Sequence, residues 1–169
     1  KSKSYYDFDL KVDFLFKENT KGGIAFRLRD NFNYYAFHID SIKRTKCILK
    51  VTDGKVQVLK CIQDGGIVVG DWHSIHISTV NSHIKVFIYD QESVDRKPSE
   101  KKLEAHDSDF IQGQVGLMTS NFDGLCFDKF TIVGKPVWTP WKPKKINVNT
   151  PTSGSFKESK FFIYFKFYS

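Results

Sequence analysis

Tyr6-Asp7-Phe8-Asp9-Leu10-Lys11-Val12-Asp13-Phe14-Leu15-Phe16 decides the fold. Its even positions are apolar, and Asp7, Asp9, Lys11 and Asp13 alternate with them. Successive side chains of an extended strand point to opposite faces, so this stretch predicts a half-buried antiparallel strand with one core face and one wet face. Working outward, further strand runs are expected at residues 23–28, 34–40, 47–52, 55–61, 72–79, 84–89, 114–119 and 126–133. The breaks between them carry turn residues: Gly22-Gly23, Asp30-Asn31, Asp53-Gly54, Gly65-Gly66, Asn81-Ser82 and Asp123-Gly124. Nine strands with little helix predict an all-β chain built as a sandwich or barrel. The long polar stretch 91–108, which holds Pro98, reads as a loop or a single helical turn.

Asp53-Gly54 sits between two matched runs and suits a tight hairpin turn. With a one-residue bulge at that turn, positions whose numbers sum to 108 face each other, which sets Cys47 opposite Cys61 and predicts a disulfide. Such a bond implies an oxidising compartment, so a secreted or cell-surface setting; the alternative is two half-buried free thiols in a cytosolic protein. Cys126, between Leu125 and Phe127, is expected as a free thiol.

The chain has 169 residues, 40% hydrophobic and 15% aromatic, which fits one domain with a tail. No run approaches the roughly 18 apolar residues of a membrane-spanning helix. The opening Lys1-Ser2-Lys3, without Met or a signal peptide, reads as a mature or excised domain. Of the formal charge of +7, the stretch from Lys135 onward holds seven lysines and one acid, a local +6. Residues 1–134 are therefore close to neutral, which argues against a nucleic-acid-binding core. The expected organisation is a sandwich over 1–134, a Pro/Trp segment and polar linker over 135–155, and an apolar basic tail over 156–169. Trp138 and Trp141 are expected to pack back on the sandwich. Phe161 to Phe167 reads as an extra edge strand, a partner-binding segment or the end of a longer chain cut short.

Gly23-Ile24-Ala25-Phe26-Arg27-Leu28, Asn33-Tyr34-Tyr35-Ala36-Phe37, Gly70-Asp71-Trp72-His73-Ser74-Ile75-His76-Ile77, Gly113-Gln114-Val115-Gly116-Leu117 and Phe127-Asp128-Lys129-Phe130 occur in that order. Together they resemble the concanavalin A-like lectin/glucanase superfamily, and within it the laminin-G-like and thrombospondin-terminal-domain branches, over about residues 5–133. The resemblance implies a two-sheet antiparallel jelly-roll β-sandwich, here with a C-terminal extension. It also implies that Trp72 packs into the core. Its members range from lectins and adhesion modules to glycosidases, so fold alone does not settle function.

Glycosidases need two carboxylates flanking one bond, and the glucanase branch sets them on one strand as Glu-x-Asp-x-x-Glu. That motif is absent, since Glu18, Glu92, Glu100, Glu104 and Glu158 all fall in expected loops or the tail. Asp7, Asp9 and Asp13 read as a solvated strand face. His73 and His76 point to opposite faces and so cannot share a metal. His38, His83 and His106 are isolated, and no Cys/His spacing matches zinc. Calcium is the better metal expectation, because hard cations take clustered oxygens on loops. Asp30, Asn31 and Asn33 form one such cluster, and Asn121 with Asp123 another; ordinary turn chemistry is the alternative for both. Lys43, Arg44 and Lys46, with Arg96, Lys97, Lys101 and Lys102, are candidates for an anionic glycan such as a sulfated polysaccharide, or else solvated loops. Phe32, Tyr34 and Phe122 are candidates for stacking on sugar rings. The expected function is a non-catalytic extracellular recognition module of a larger surface or secreted adhesion protein, binding glycan or protein through rim loops. A carbohydrate-active enzyme with unrecognised carboxylates and a purely structural domain are the alternatives.

Overall fold

The computed structural model describes residues 2–64, 67–90, 101–121, 123–139 and 162–164. In chain order the strands are β1 (Ser2–Phe16), β2 (Lys21–Asp30), β3 (Asn33–Asp40), β4 (Thr45–Thr52), β5 (Lys55–Ile62), β6 (Trp72–Val80), β7 (His83–Asp90), β8 (Lys101–His106), β9 (Gln114–Thr119), β10 (Leu125–Thr139) and β11 (Phe162–Tyr164). All pairings are antiparallel. One sheet, here sheet A, runs β10-β1-β6-β7-β8, and the other, sheet B, runs β11-β9-β2-β3-β4-β5. The chain is thus the all-β sandwich that the alternation in β1 predicts.

Phe8, Leu10, Val12, Phe14 and Phe16 of β1 all lie in the core between the sheets. They meet Ile75 and Ile77 of β6, Ile84, Val86 and Ile88 of β7, and Ile24, Phe26, Tyr35 and Phe37 of sheet B. At about 1.5–3 kcal/mol per fully buried large apolar side chain, this one cluster carries much of the stability.

Three departures from the sequence reading have physical causes. β8 forms inside the expected polar loop: Leu103 and Ala105 are buried while Lys102, Glu104 and His106 face out, so a short charged strand hides its period. β10 continues beyond 133 to Thr139, and its last residues pair with Ser2 to Tyr5. Finally, the β4–β5 bulge lies at Leu59, between the Ile48↔Lys60 and Leu49↔Val58 pairs, because Asp53-Gly54 makes a two-residue turn in the left-handed region. The Cys47↔Cys61 register is the same either way, and the disulfide is present with a Cα–Cα distance of 4.1 Å. Cys126 is a free thiol. Of the tail, β11 adds three residues to the edge of sheet B against β9; Trp141 lies outside the described residues.

Candidate functional site

The outward side chains of β6 are Trp72, Ser74, His76 and Ser78, all half-buried, while His73, Ile75, Ile77 and Thr79 are buried. Trp72 therefore stands on the outer face of sheet A, not in the core as the resemblance implied. His73 takes the core position instead, stacked on Phe14 at 5.5 Å with its Nε2 3.1 Å from the Val68 carbonyl. Period two alone places both residues correctly.

Register then assembles a surface around the β6 row. On one side Asp13, Lys11 and Asp9 of β1 face Ser74, His76 and Ser78. On the other, Tyr89, Phe87 and Lys85 of β7 face the same three, and Phe87 in turn faces Lys102 of β8. Ser74 donates its hydroxyl to Asp13, whose other oxygen lies 3.0 Å from Lys129 Nζ. Asp13 is only 8% exposed, so it departs from the solvated-face expectation. His76 Nε2 is 2.8 Å from Asp9 Oδ1, and its ring stacks on Phe87 at 5.4 Å. Partial burial pushes the Asp9 carboxyl up, but hydrogen bonds from His76 and Ser78 outweigh it and hold its pKa below the ordinary value.

At the β6–β7 turn this face runs into an open cleft of about 880 Å³, which Asp9 also lines. Its walls come from Tyr6 to Asp9, Val80 to Ser82, Ser108 with Ile111, and Val133 to Lys135. Asp7 is fixed there by the Asn81 backbone N–H at 2.8 Å and by Arg27 Nη2 at 3.5 Å. Arg27 is fully buried at a bulge of β2 with φ 47°, and it also donates to the Tyr6 carbonyl at 3.2 Å and the Phe110 carbonyl at 3.3 Å. One guanidinium thus ties the Tyr6–Asp7 wall, and the Phe110 backbone next to Ile111, to sheet B. Gly113 permits the close approach, since a Cβ there would sit 2.2 Å from the Arg27 carbonyl carbon.

The residues singled out from sequence are not brought together. Asp30 accepts from the Phe32 N–H at 2.8 Å and the Asn33 amide at 3.0 Å, and Asn33 Oδ1 accepts from the Asp53 N–H at 3.1 Å. Asn121 Oδ1 accepts from the Asp123 N–H at 3.2 Å, and its amide donates to Glu18. These two oxygen clusters lie at opposite ends of β2, because Asp30 pairs with Asn33 at one end and Gly22 with Thr119 at the other. Ten residues of strand separate them by about 30 Å. Among the described residues, no group of three or more His, Cys, Asp or Glu is arranged to hold a metal. Lys43 and Arg44 are exposed at the β3–β4 turn, whereas Lys46 is 1% exposed and paired with Asp64 at 2.6 Å. Tyr34 is buried and so unavailable for stacking, Asn31 and Phe32 lie in the β2–β3 turn, and Phe122, Arg96 and Lys97 lie outside the described residues. The sheet A face was missed because it has no motif; its signal was the alternating polar and aromatic row of β6 itself.

A family model described as "3-keto-alpha-glucoside-1,2-lyase-like domain" matches residues 1–133. Among solved structures, the carbohydrate binding module CBM66 from Bacillus subtilis superposes with a TM-score of 0.60 at 23% identity, covering 76% of each chain. Chicken galectin 2 does so with a TM-score of 0.56 at 9% identity, over 78% of this chain and 100% of that one. CG-16, a homodimeric agglutinin from chicken liver, gives 0.55 at 12% identity, over 78% and 95%. At these identities the likeness carries the concanavalin A-like fold and nothing finer. No curated protein matches the chain.

Proposed function

The chain belongs to the 3-keto-alpha-glucoside-1,2-lyase-like domain family, and from that footing we propose that it is a non-catalytic module that recognises a glycan on the outer face of sheet A. The carrying observation is the β6 row of Trp72, Ser74, His76 and Ser78, with Phe87 and Tyr89 on one flank and Asp9 and Asp13 on the other. A sugar ring has an apolar C–H face and a hydroxylated edge. Half-buried rings accept the face, while carboxylates and hydroxyls satisfy the edge. The neighbours named as a carbohydrate binding module and galectins support this choice of ligand class.

The Cys47–Cys61 bond supports an oxidising, extracellular setting, within a larger surface or secreted adhesion protein. Neutral glycans suit sheet A, where Asp9 and Asp13 alternate with Lys11, Lys85 and Lys102 and carboxylates do not dominate. A sulfated glycan would use Lys43 and Arg44 at the β3–β4 turn instead. Calcium at Asp30, Asn31 and Asn33, or at Asn121 and Asp123, would order those turns and act on the ligand only indirectly.

The test is a glycan array probed with the full chain, with and without calcium, beside Trp72→Ala and Tyr89→Ala. Binding that falls about tenfold or more in both variants while melting is unchanged supports the reading. Binding that survives both variants, or no glycan bound at all, overturns it. A second reading, a carbohydrate-active lyase, is favoured by the family's description and by the Asp9–His76 pair, in which a carboxylate holds an imidazole at 2.8 Å as in a general base. Turnover of a 3-keto-glucoside that is lost in His76→Gln would select it.

A further inference from the structure

Nine large apolar side chains stand exposed among the described residues, and Tyr6, Val80, Ile111 and Val133 of these border the end cleft. Their exposures run from 41% at Tyr6 to 73% at Val133. Three of the four are aliphatic and offer a sugar ring no stacking plane, so the glycan face leaves this rim unexplained. Beneath it lie Asp7 and Asp9, whose side chains are 52% and 57% exposed. Asp7 Oδ1 takes the Asn81 N–H and the Arg27 guanidinium, and Asp9 Oδ1 meets His76 Nε2, yet both side chains remain more than half exposed on the cleft lining. Lys135, itself exposed, is the cation on the lining.

An aliphatic rim above two carboxylates matches the build of one group, a lysine or arginine side chain, whose methylene stem is apolar and whose head is a cation. We propose that the end cleft is a second binding site that takes a basic side chain presented by an extended segment of a protein partner. The stem lies against Val80, Ile111 and Val133, and the head reaches Asp9 and Asp7. Exposed charges are screened, so the contact weakens with salt. Lys135 opposes the ligand's charge and sets an upper limit on affinity.

The full chain is titrated with three synthetic pentapeptides, Ala-Leu-Xaa-Leu-Ala with blocked ends, where Xaa is lysine, norleucine or glutamate, followed by backbone amide NMR shifts. The lysine peptide is expected to bind about tenfold more tightly than the others, and the shifts to cluster at residues 6–9, 79–82 and 133–135. Asp9→Asn and Ile111→Ser should each weaken it severalfold, and Lys135→Ala should strengthen it. Asp7→Asn serves as a further variant; because it also breaks the Arg27 contact, Asp9→Asn and Lys135→Ala carry the test if it misfolds. Equal affinity for the three peptides, shifts confined elsewhere, or a lysine preference that survives Asp9→Asn would overturn the proposal. Glycan binding by Ile111→Ser and Lys135→Ala should stay at the wild-type level, which separates this site from the sheet A face.

Discussion

The outer faces of the two sheets obey opposite rules. Sheet A turns Asp9, Lys11, Ser74, His76, Ser78 and Lys85 outward, each paired with a neighbour across the strands. On sheet B the outward positions of β2, β3, β4 and β9 include Ala25, Tyr34, Ala36, Val51 and Met118, a second buried apolar cluster with Leu49 packed against it. A strand apolar on both faces has no wet side, whereas strict alternation marks one. These four strands of sheet B are therefore framework on both sides, while the edge strand β5 stays exposed. Sheet A is framework inside and free to vary outside, which is where a ligand-contacting surface can be built without cost to the core.

The sharpest way to break this contrast is to place the same polar residue on each face. Ala36→Asn puts an amide where the side chain is 1% exposed and tightly packed, and it should cost at least about 4 kcal/mol from overpacking and unsatisfied polar burial. Ser78→Asn, on the half-buried outer row of sheet A, should stay within about 0.5 kcal/mol. Urea melts of the two variants check this, and similar costs would mean that the faces do not differ as described.

The second contrast concerns the disulfide at the far edge of sheet B. Cys47→Ala with Cys61→Ala removes a link that closes a 14-residue separation, and it should lower stability by about 3 kcal/mol. The β6 row lies on the other sheet, so its glycan binding, measured below the new melting point, should persist.

Acid sharpens the comparison through His38, which sits on β3 beside Asp40. Burial pushes its pKa down to about 4, the nearby Asp40 opposing. The unfolded chain, with an ordinary imidazole near 6.5, binds the proton more readily between those values. Stability is then complete above about pH 6.5 and falls as the pH drops toward 4, by about 3 kcal/mol. Thermal melts from pH 7 to 4 should show His38→Gln losing less stability over that window than the parent chain; parallel curves would refute the assignment.

How much of this was legible follows from the same physics. The β1 alternation revealed the sandwich, and the Asp53-Gly54 turn revealed the Cys47–Cys61 register even though the bulge lies at Leu59. Tyr34 gave no sign of its burial because the central strands of sheet B are buried on both faces, so an outward position there need not meet water. Lys46 instead takes an inward position, opposite Ile39 and two residues before Ile48, where a lysine is not expected. Its ion pair with Asp64 offsets part of the cost of burying the charge. Arg27 could not be read at all, since its three partners, Asp7, Tyr6 and Phe110, are distant in sequence and meet only after the sheets stack. The end cleft is assembled from four segments for the same reason. His76 was legible as facing opposite to His73, but its outward placement and its stacking on Phe87 required the sheet and the β6–β7 register.

The smallest expected effect on stability is the most informative about function. Trp72 begins the outer row of β6, half-buried and facing away from the core, so Trp72→Ala removes only surface contacts. It should cost about 1 kcal/mol or less, a fraction of the 3–5 kcal/mol that deleting a core tryptophan costs. If Trp72 packed into the core, as the resemblance implied, the same substitution would instead rank beside Ala36→Asn. Calorimetric melting of Trp72→Ala and Phe14→Ala side by side decides between these placements. The glycan reading adds a second measurement on the same protein. A stacking ring that barely supports the fold should still govern affinity, so Trp72→Ala should melt near the parent chain and bind glycan about tenfold less tightly. A variant that melts normally and binds normally would leave sheet A polar by default, with no ligand to explain its rings.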